Sequence, residues 1–339
     1  MYVLYTDDSI IAGPNKRDVD AVIEQIKQAK LDITVEGDIQ DFLGVNIERM
    51  RDGTIHFTQP HLVNKILKSM NMDTEGIKTK DTPAASSRIL HRHTKSEDFD
   101  QGFNYRSVVG MLNYLEKGSR SDIAYATHQC ARFVDSPKKE HGDAMRWLAR
   151  YLIGTKDKGM IYDPDPATGL EVYVDADFSG NWNQDEAASD RDTARSRHGY
   201  IIRYAKCPLV WKSQLQQEVA LSSTESEYTG LSYALREAIP LIELMAEIKA
   251  QGIEVAASQP IVMCKVFEDN SGALEMAKVH KYRPRTKHLN VKLHHFRSYV
   301  ESGHVHILPI DTTEQLADYL TKPVNQTILA DLRLKVMGW

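Results

Sequence analysis

The sequence predicts an α/β chain: an α+β N-terminal part to about residue 163, then a domain built on five strands flanked by helices. Three observations carry this. β-Branched and aromatic runs with period-two alternation recur through the second half. Helical spacings of apolar residues dominate much of the first half. The polar stretch Pro164 to Gly169 separates the two, and the main boundary is expected there. At 339 residues, with 42% hydrophobic and 26% charged side chains, the chain is long enough to bury two or three cores.

In chain order, Tyr2 to Gly13 holds two apolar runs hinged on Asp7 and Asp8, the pattern of a β-hairpin with aspartates at its tip. Two readings stand for that pair: a plain acidic turn, or adjacent carboxylates held against divalent ions. Val19, Val22, Ile23, Ile26 and Ala29 keep helical spacing, and two strand-like runs follow around Gly37 and Gly44. Thr54 to Phe57 reads as a strand and His61 to Met70 as a helix. Lys78 to Gln101 is a polar loop, in which His91 and His93 have no matching ligand pair nearby and read as solvated. Helices are expected over Tyr105 to Glu116, Ser121 to Phe133 and Glu140 to Ile153.

The central stretch is Leu170 to Gly180. Val172 and Val174 alternate with Glu171 and Tyr173, and Asp175 and Asp177 share one face at the strand's end. Further strands are expected over Gly199 to Tyr204, Pro208 to Trp211, Ile261 to Phe267 and Val305 to Pro309. A long helix opens near Leu221, with Pro240 inside it. Thr224 and Glu227 have capping-box spacing, which would make Glu227 a cap. Helical phase opposes that reading, because Glu227 shares its face with Leu231 and Ala234 and so points toward the sheet. Asn270 or Ser271 would cap the next short helix, leaving Asp269 free at a strand end. A helix over Val291 to Glu301 precedes the fifth strand, and Thr312 to Leu320 would place Asp318 mid-helix, as a solvated residue or as a ligand.

Asp175, Glu227, Asp269 and Asp318 would thus gather on one α/β domain. Clustered carboxylates repel, and divalent metal relieves the repulsion. Two Mg²⁺ ions ~4 Å apart would suit a scissile phosphate. Lys278 to His288 is basic with an aromatic inside it, either a solvated charge run or a phosphate contact. With a net charge of −5, any nucleic-acid contact must be local. Cys130, Cys207 and Cys264 are odd in number and widely spaced, as reduced structural thiols are. Apolar runs fall short of the ~20 residues of a spanning helix. No signal-peptide pattern opens the chain, so an intracellular protein is expected.

The ordered motifs resemble the C-terminal part of the Pol polyprotein of copia-type LTR retrotransposons, from the end of the reverse transcriptase through RNase H. Tyr5-Thr6-Asp7-Asp8 is similar to the polymerase Tyr-x-Asp-Asp box, although the family more often has Val where Thr6 stands. Phe42 to Val45, Tyr105 to Gly110, Ser121 to Ala124 and Arg150 to Thr155 resemble the family's palm-to-connection signatures. The RNase H part resembles the family through Asp175-Ala176-Asp177, Ala220 to Tyr228, Asp269-Asn270-Ser271, Arg285 to His288 and Gln315 to Asp318 with Leu320 to Pro323. The resemblance implies a truncated palm, thumb and connection region over 1–163, an RNase H-like five-stranded mixed sheet over 164–325, and a C-terminal tail over 326–339.

It further implies Mg²⁺-dependent endonucleolytic cleavage of the RNA strand of an RNA–DNA hybrid. Asp175, Glu227, Asp269 and Asp318 would be the catalytic metal ligands, with Mn²⁺ able to substitute. Lys281, Arg283, Arg285, Lys287 and His288 would hold nucleic acid, and a cytoplasmic, virus-like-particle or nuclear setting follows. Asp7 and Asp8 would form an incomplete polymerase site, because the upstream aspartate of that triad precedes Met1, so polymerase activity is expected to be lost. The alternative is a catalytically silent remnant that binds nucleic acid or is merely structural.

Overall fold

In the computed structural model, residues 1–13, 15–85, 89–92, 95–100, 102–278 and 295–339 are described. The Tyr-Thr-Asp-Asp stretch forms the expected hairpin of β1 (Tyr2–Tyr5) and β2 (Asp8–Ile11), with Tyr5 opposite Asp8. It forms its own two-stranded sheet, and both Asp7 and Asp8 are exposed. Helix α1 (Lys16–Gln28) follows, capped by Asn15, whose Oδ1 accepts from Asp18 N at 3.0 Å.

A four-stranded antiparallel sheet joins β3 (Asp41–Phe42), β4 (Val45–Arg49), β5 (Ile55–Thr58) and β6 (Met160–Tyr162). Strand β6 lies just before the polar boundary stretch and is too short for periodicity to reveal. Helices α2 (Pro60–Ser69), α3 (Tyr105–Ser119), α4 (Ala124–Ala131) and α5 (Lys139–Gly154) fall where apolar spacing puts them. Their Leu67, Leu112, Leu115, Leu148 and Leu152 meet in one core.

The second sheet is mixed. Its order is β11 (Val305–Pro309), β10 (Cys264–Glu268), β7 (Leu170–Asp177), β8 (Arg197–Tyr204), β9 (Cys207–Leu215). Strand β7 pairs parallel with β10 and antiparallel with β8, and β10 pairs parallel with β11. This is the five-stranded mixed sheet expected of an RNase H-like domain. Apolar side chains fill both faces of β7, as a central strand requires. Leu170, Val172 and Val174, with Tyr200 and Ile202 of β8, pack against Leu231, Leu235 and Ile242 of helix α6 (Ser223–Ala250). Helix α7 (Ser271–Lys278) and the described part of α8 (295–301) add Ala273, Leu274 and Phe296 to that core. Pro240 sits inside α6 without ending it.

The opposite face, through Tyr173 and Ile201, joins the N-terminal core together with Leu316 and Leu320. One core therefore draws on side chains from both sides of residue 163. Residues 326–339, expected as a tail, instead carry helix α10 (Gln326–Met337) after the short α9 (Asp318–Thr321). Leu329, Leu332 and Val336 recur at helical spacing and are buried, which anchors α10 on the N-terminal core. The three cysteines are buried and unbridged. Among the described residues no helix is long and apolar enough to cross a membrane.

Candidate metal centre

Strand β7 carries Asp175 two residues before its end at Asp177, and the Asp175 side chain is buried, 5% exposed. Beside it, β10 runs parallel and delivers Glu268 and then Asp269 at the same end of the sheet. Helix α6 starts over this edge. Its cap is Ser222, whose Oγ accepts from Glu225 N at 3.1 Å, while Glu225 Oε2 accepts from Leu221 N at 2.9 Å. The cap thus lies two residues before Thr224 and Glu227, so Glu227 is not spent on it. Glu227 instead lies buried against the sheet, as helical phase predicts. One carboxylate oxygen from each of Asp175, Glu227 and Asp269 lies within 4.8 Å of the others.

The fourth expected carboxylate sits differently. The stretch 312–320 does not form one helix: a 3₁₀ turn (Thr312–Glu314) gives way to α9, so Asp318 is the first residue of a four-residue helix and not a mid-helix residue. The diversion has a visible cause. Gln315 Nε2 donates to Val174 O at 2.9 Å, tying the segment to β7. Thr321 Oγ1 then donates to Asp175 Oδ2. Asp318 remains outside the mutual 4.8 Å group and pairs with Lys322, Nζ to Oδ1 3.0 Å.

Gly199 makes this approach possible. It sits opposite Asp175 in the β7–β8 register, and a Cβ there would stand 2.6 Å from Leu320 Cβ. No side chain other than hydrogen lets α9 lie on the sheet at that point.

Burial drives the electrostatics. It pushes the Asp175 carboxyl up to about 6; Lys322 and the Thr321 hydroxyl oppose the rise, and Asp318 and Asp269 add to it. The Glu227 carboxyl rises further, through burial first and then the charges of Asp175, Glu268 and Asp269. Glu268 is also pushed up by burial, against a hydrogen bond from Asn270 N to its Oε1 at 3.0 Å. Asp318 rises by burial, against the Lys322 charge. Glu227 Oε2 and Glu268 Oε2 are buried with no hydrogen-bond partner among the described residues. A buried carboxylate oxygen without a donor is costly, and a hard cation is the partner its chemistry suits. Asp175, Glu227 and Asp269 can therefore hold a divalent metal ion.

Glu268, Thr321, Lys322 and Gly199 belong to this centre although the sequence reading gave none of them a role in it; Thr321 and Lys322 entered only as part of the Leu320 to Pro323 motif. Lys322 alone carried a local signal, being four residues after Asp318 on a helical turn. Asp7 and Asp8 stand apart from the centre on their hairpin, and among the described residues no third carboxylate joins them. Lys281, Arg283, Arg285, Lys287 and His288 lie outside the described residues, as does His93.

No protein-family model matches the chain. Curated proteins do match, along nearly its whole length. The retrovirus-related Pol polyprotein from transposon RE1 of Arabidopsis thaliana is 30% identical over 334 residues, covering 98% of this chain and 21% of its own length. The corresponding polyprotein from transposon TNT 1-94 of Nicotiana tabacum is 32% identical over 332 residues, covering 95% of this chain and 23% of its own. The chain thus spans about a fifth of the relatives it matches. Among solved structures, the foamy viral protease-reverse transcriptase in complex with double-stranded DNA is 14% identical, covering 92% of this chain and 55% of its own at a TM-score of 0.47. By its curated relatives, the chain belongs to the retrovirus-related Pol polyproteins of copia-type transposons.

Proposed function

We propose that this chain is a divalent-metal-dependent ribonuclease of the RNase H type that cuts the RNA strand of an RNA–DNA hybrid endonucleolytically. The observation that carries the reading is the carboxylate group of buried Asp175 and Glu227 with half-buried Asp269 at the end of a mixed sheet, with Glu227 Oε2 lacking a donor among the described residues. Asp175, Glu227, Asp269 and Asp318 are the proposed ligands, for two Mg²⁺ ions or Mn²⁺ in their place. Such ions, when bound, supply Lewis acidity to the scissile phosphate and its attacking water. The chain's own part is placement: Thr321 and Gln315 fix α9 against β7, and Asp269 stays half-buried. The basic residues Lys281, Arg283, Arg285, Lys287 and His288 are the proposed phosphate contacts. Discrimination of hybrid from DNA duplex would then rest on shape and the 2′-hydroxyl. Residues 1–163 are the proposed reverse-transcriptase part and 164–325 the RNase H-like domain.

The test is direct. Purified chain in Mg²⁺ or Mn²⁺ should cut the RNA of a hybrid, leave single-stranded RNA intact and stop in chelator. Given a primed RNA template and nucleotides, it should extend nothing, because Asp7 and Asp8 have no third carboxylate beside them among the described residues. Failure of a folded chain to cut hybrid would return it to the silent-remnant alternative, and template-dependent extension would overturn the polymerase reading.

The raised Asp175 carboxyl gives a second expectation. Between its ordinary 3.8 and about 6, the folded metal-free chain holds a proton that the unfolded chain has released. That stabilisation is full below about pH 4 and is lost as pH rises through about 6. In chelator, the unmodified chain should therefore lose stability relative to Asp175→Asn between about pH 4 and 7. Mg²⁺ should restore more stability at about pH 7.5 than at pH 5, since the metal competes with the proton. Thermal unfolding of both proteins across this range measures it; parallel pH profiles would rule the idea out.

A further inference from the structure

Two halves of the acidic centre differ in one respect. Among the described residues, Asp175, Glu227 and Asp269 face one another with no cation paired to them, whereas Asp318 Oδ1 lies 3.0 Å from the Lys322 ammonium. Lys322 also acts electrostatically on Asp175 and Asp177. It is the foremost positive charge on Asp175 and on Asp318. Its backbone cannot drift far, since Thr321 is bonded to Asp175, Gln315 to Val174, and Leu320 is seated on Gly199. Its side chain is 42% exposed, so the four-carbon stem has room to swing outward.

Resting on the metal-centre reading above, we propose that Lys322 is a built-in counter-ion that stands in for the second divalent ion and must leave Asp318 before that aspartate can take a metal. The first ion enters among Asp175, Glu227 and Asp269 without moving Lys322. The second competes with the ammonium for Asp318. Lys322 thereby keeps the metal-free carboxylates from repelling one another and makes loading of the second position weaker and later than the first. An ammonium serves here as a compact point charge, of the same sign as the ion it precedes.

Calorimetric Mn²⁺ titration of the unmodified chain, Lys322→Met and Asp269→Asn tests this. The unmodified chain should bind in two phases. Lys322→Met should tighten the weaker phase by up to ~5-fold, the upper value for one partly exposed charge pair, and leave the tighter phase unchanged within about 1.5-fold. Its unfolding temperature in chelator should fall. A weaker phase that is unchanged or loosened overturns the proposal, as does unaltered Mn²⁺ binding with weakened hybrid binding, which would make Lys322 a phosphate contact. Asp269→Asn separates the two levels: a tighter phase indifferent to this change defeats the metal-centre reading itself, independently of Lys322. Should Lys322→Met fold poorly, amine acylation of the unmodified chain gives the answer. Lys322 should become more reactive only as the second phase fills, and constant reactivity would refute the displacement.

Discussion

Asp269→Asn is expected to slow hybrid cleavage at least ~10²-fold while leaving the chain folded and able to bind hybrid. That magnitude is typical of removing a group that acts on the transition state. Asn matches Asp in size, and among the described residues the Asp269 side chain makes no hydrogen bond or ion pair that Asn would forfeit. The cap of α7 belongs to its neighbour, Asn270, whose Oδ1 accepts from Ala273 N at 3.0 Å. What the substitution removes is one negative charge from a group that includes Asp175, Glu227 and Glu268. Without metal, that removal relieves repulsion, so the variant's unfolding temperature in chelator should match or exceed that of the unmodified chain. With Mg²⁺ the order should reverse, because the unmodified chain gains stability by binding the ion and the variant gains little. Cleavage rate, hybrid affinity and the two unfolding temperatures form one experiment. Equal cleavage by both proteins would show that the carboxylate group is not the site.

Much of this centre was legible because β7 and α6 obey simple periods. Alternation along Leu170 to Asp177 placed Asp175 at a strand end, and the phase shared with Leu231 and Ala234 turned Glu227 inward. The position of the cap, as distinct from the direction of Glu227, is ambiguous in the sequence. Ser222-Ser223-Thr224-Glu225-Ser226-Glu227 fits the capping-box template in two registers, and only contact with the sheet selects Ser222 with Glu225. Asp318 was misplaced within its element for a related reason: the bond from Gln315 to Val174 O joins residues 141 apart, which no local pattern registers. Gly199 and Glu268 show the same limit. A glycine inside a strand signals close approach but not by what. Glu268 sits beside Asp269, and no local pattern tells that its carboxylate is fully buried next to the group. Helix α10 has sequence periodicity, yet its role depends on a distant core to receive Leu329, Leu332 and Val336.

That distant core supplies the second large effect: Asp122→Ala should destabilise the chain by about 3–5 kcal/mol, the range for stranding one member of a buried ion pair. Arg120 and Asp122 are both fully buried. Arg120 Nε donates to Asp122 Oδ1 at 2.9 Å and Nη2 to Oδ2 at 2.8 Å, a bidentate pair. Burial would raise the Asp122 carboxyl, but Arg120 and the Tyr151 hydroxyl hold it below its ordinary value. Tyr151 OH donates to Asp122 Oδ2 at 2.6 Å and accepts from Arg333 Nη1 of α10 at 2.8 Å. Removing Asp122 thus leaves a buried guanidinium without its anion and loosens the contact that ties α10 to α5. The consequence should reach the metal centre. Ser121, next in sequence to both partners, is hydrogen-bonded through Oγ to Tyr319 OH at 2.9 Å, and Tyr319 adjoins Asp318 in α9. Denaturant unfolding should show the loss, and Mn²⁺ titration should show weaker binding at Asp318. Replacing the pair together, as Arg120→Met with Asp122→Leu, should cost less than Asp122→Ala alone, because no charge is then left buried. If the double variant were the less stable of the two, the pair itself, and not the stranded charge, would be what holds α10 and α9 in place.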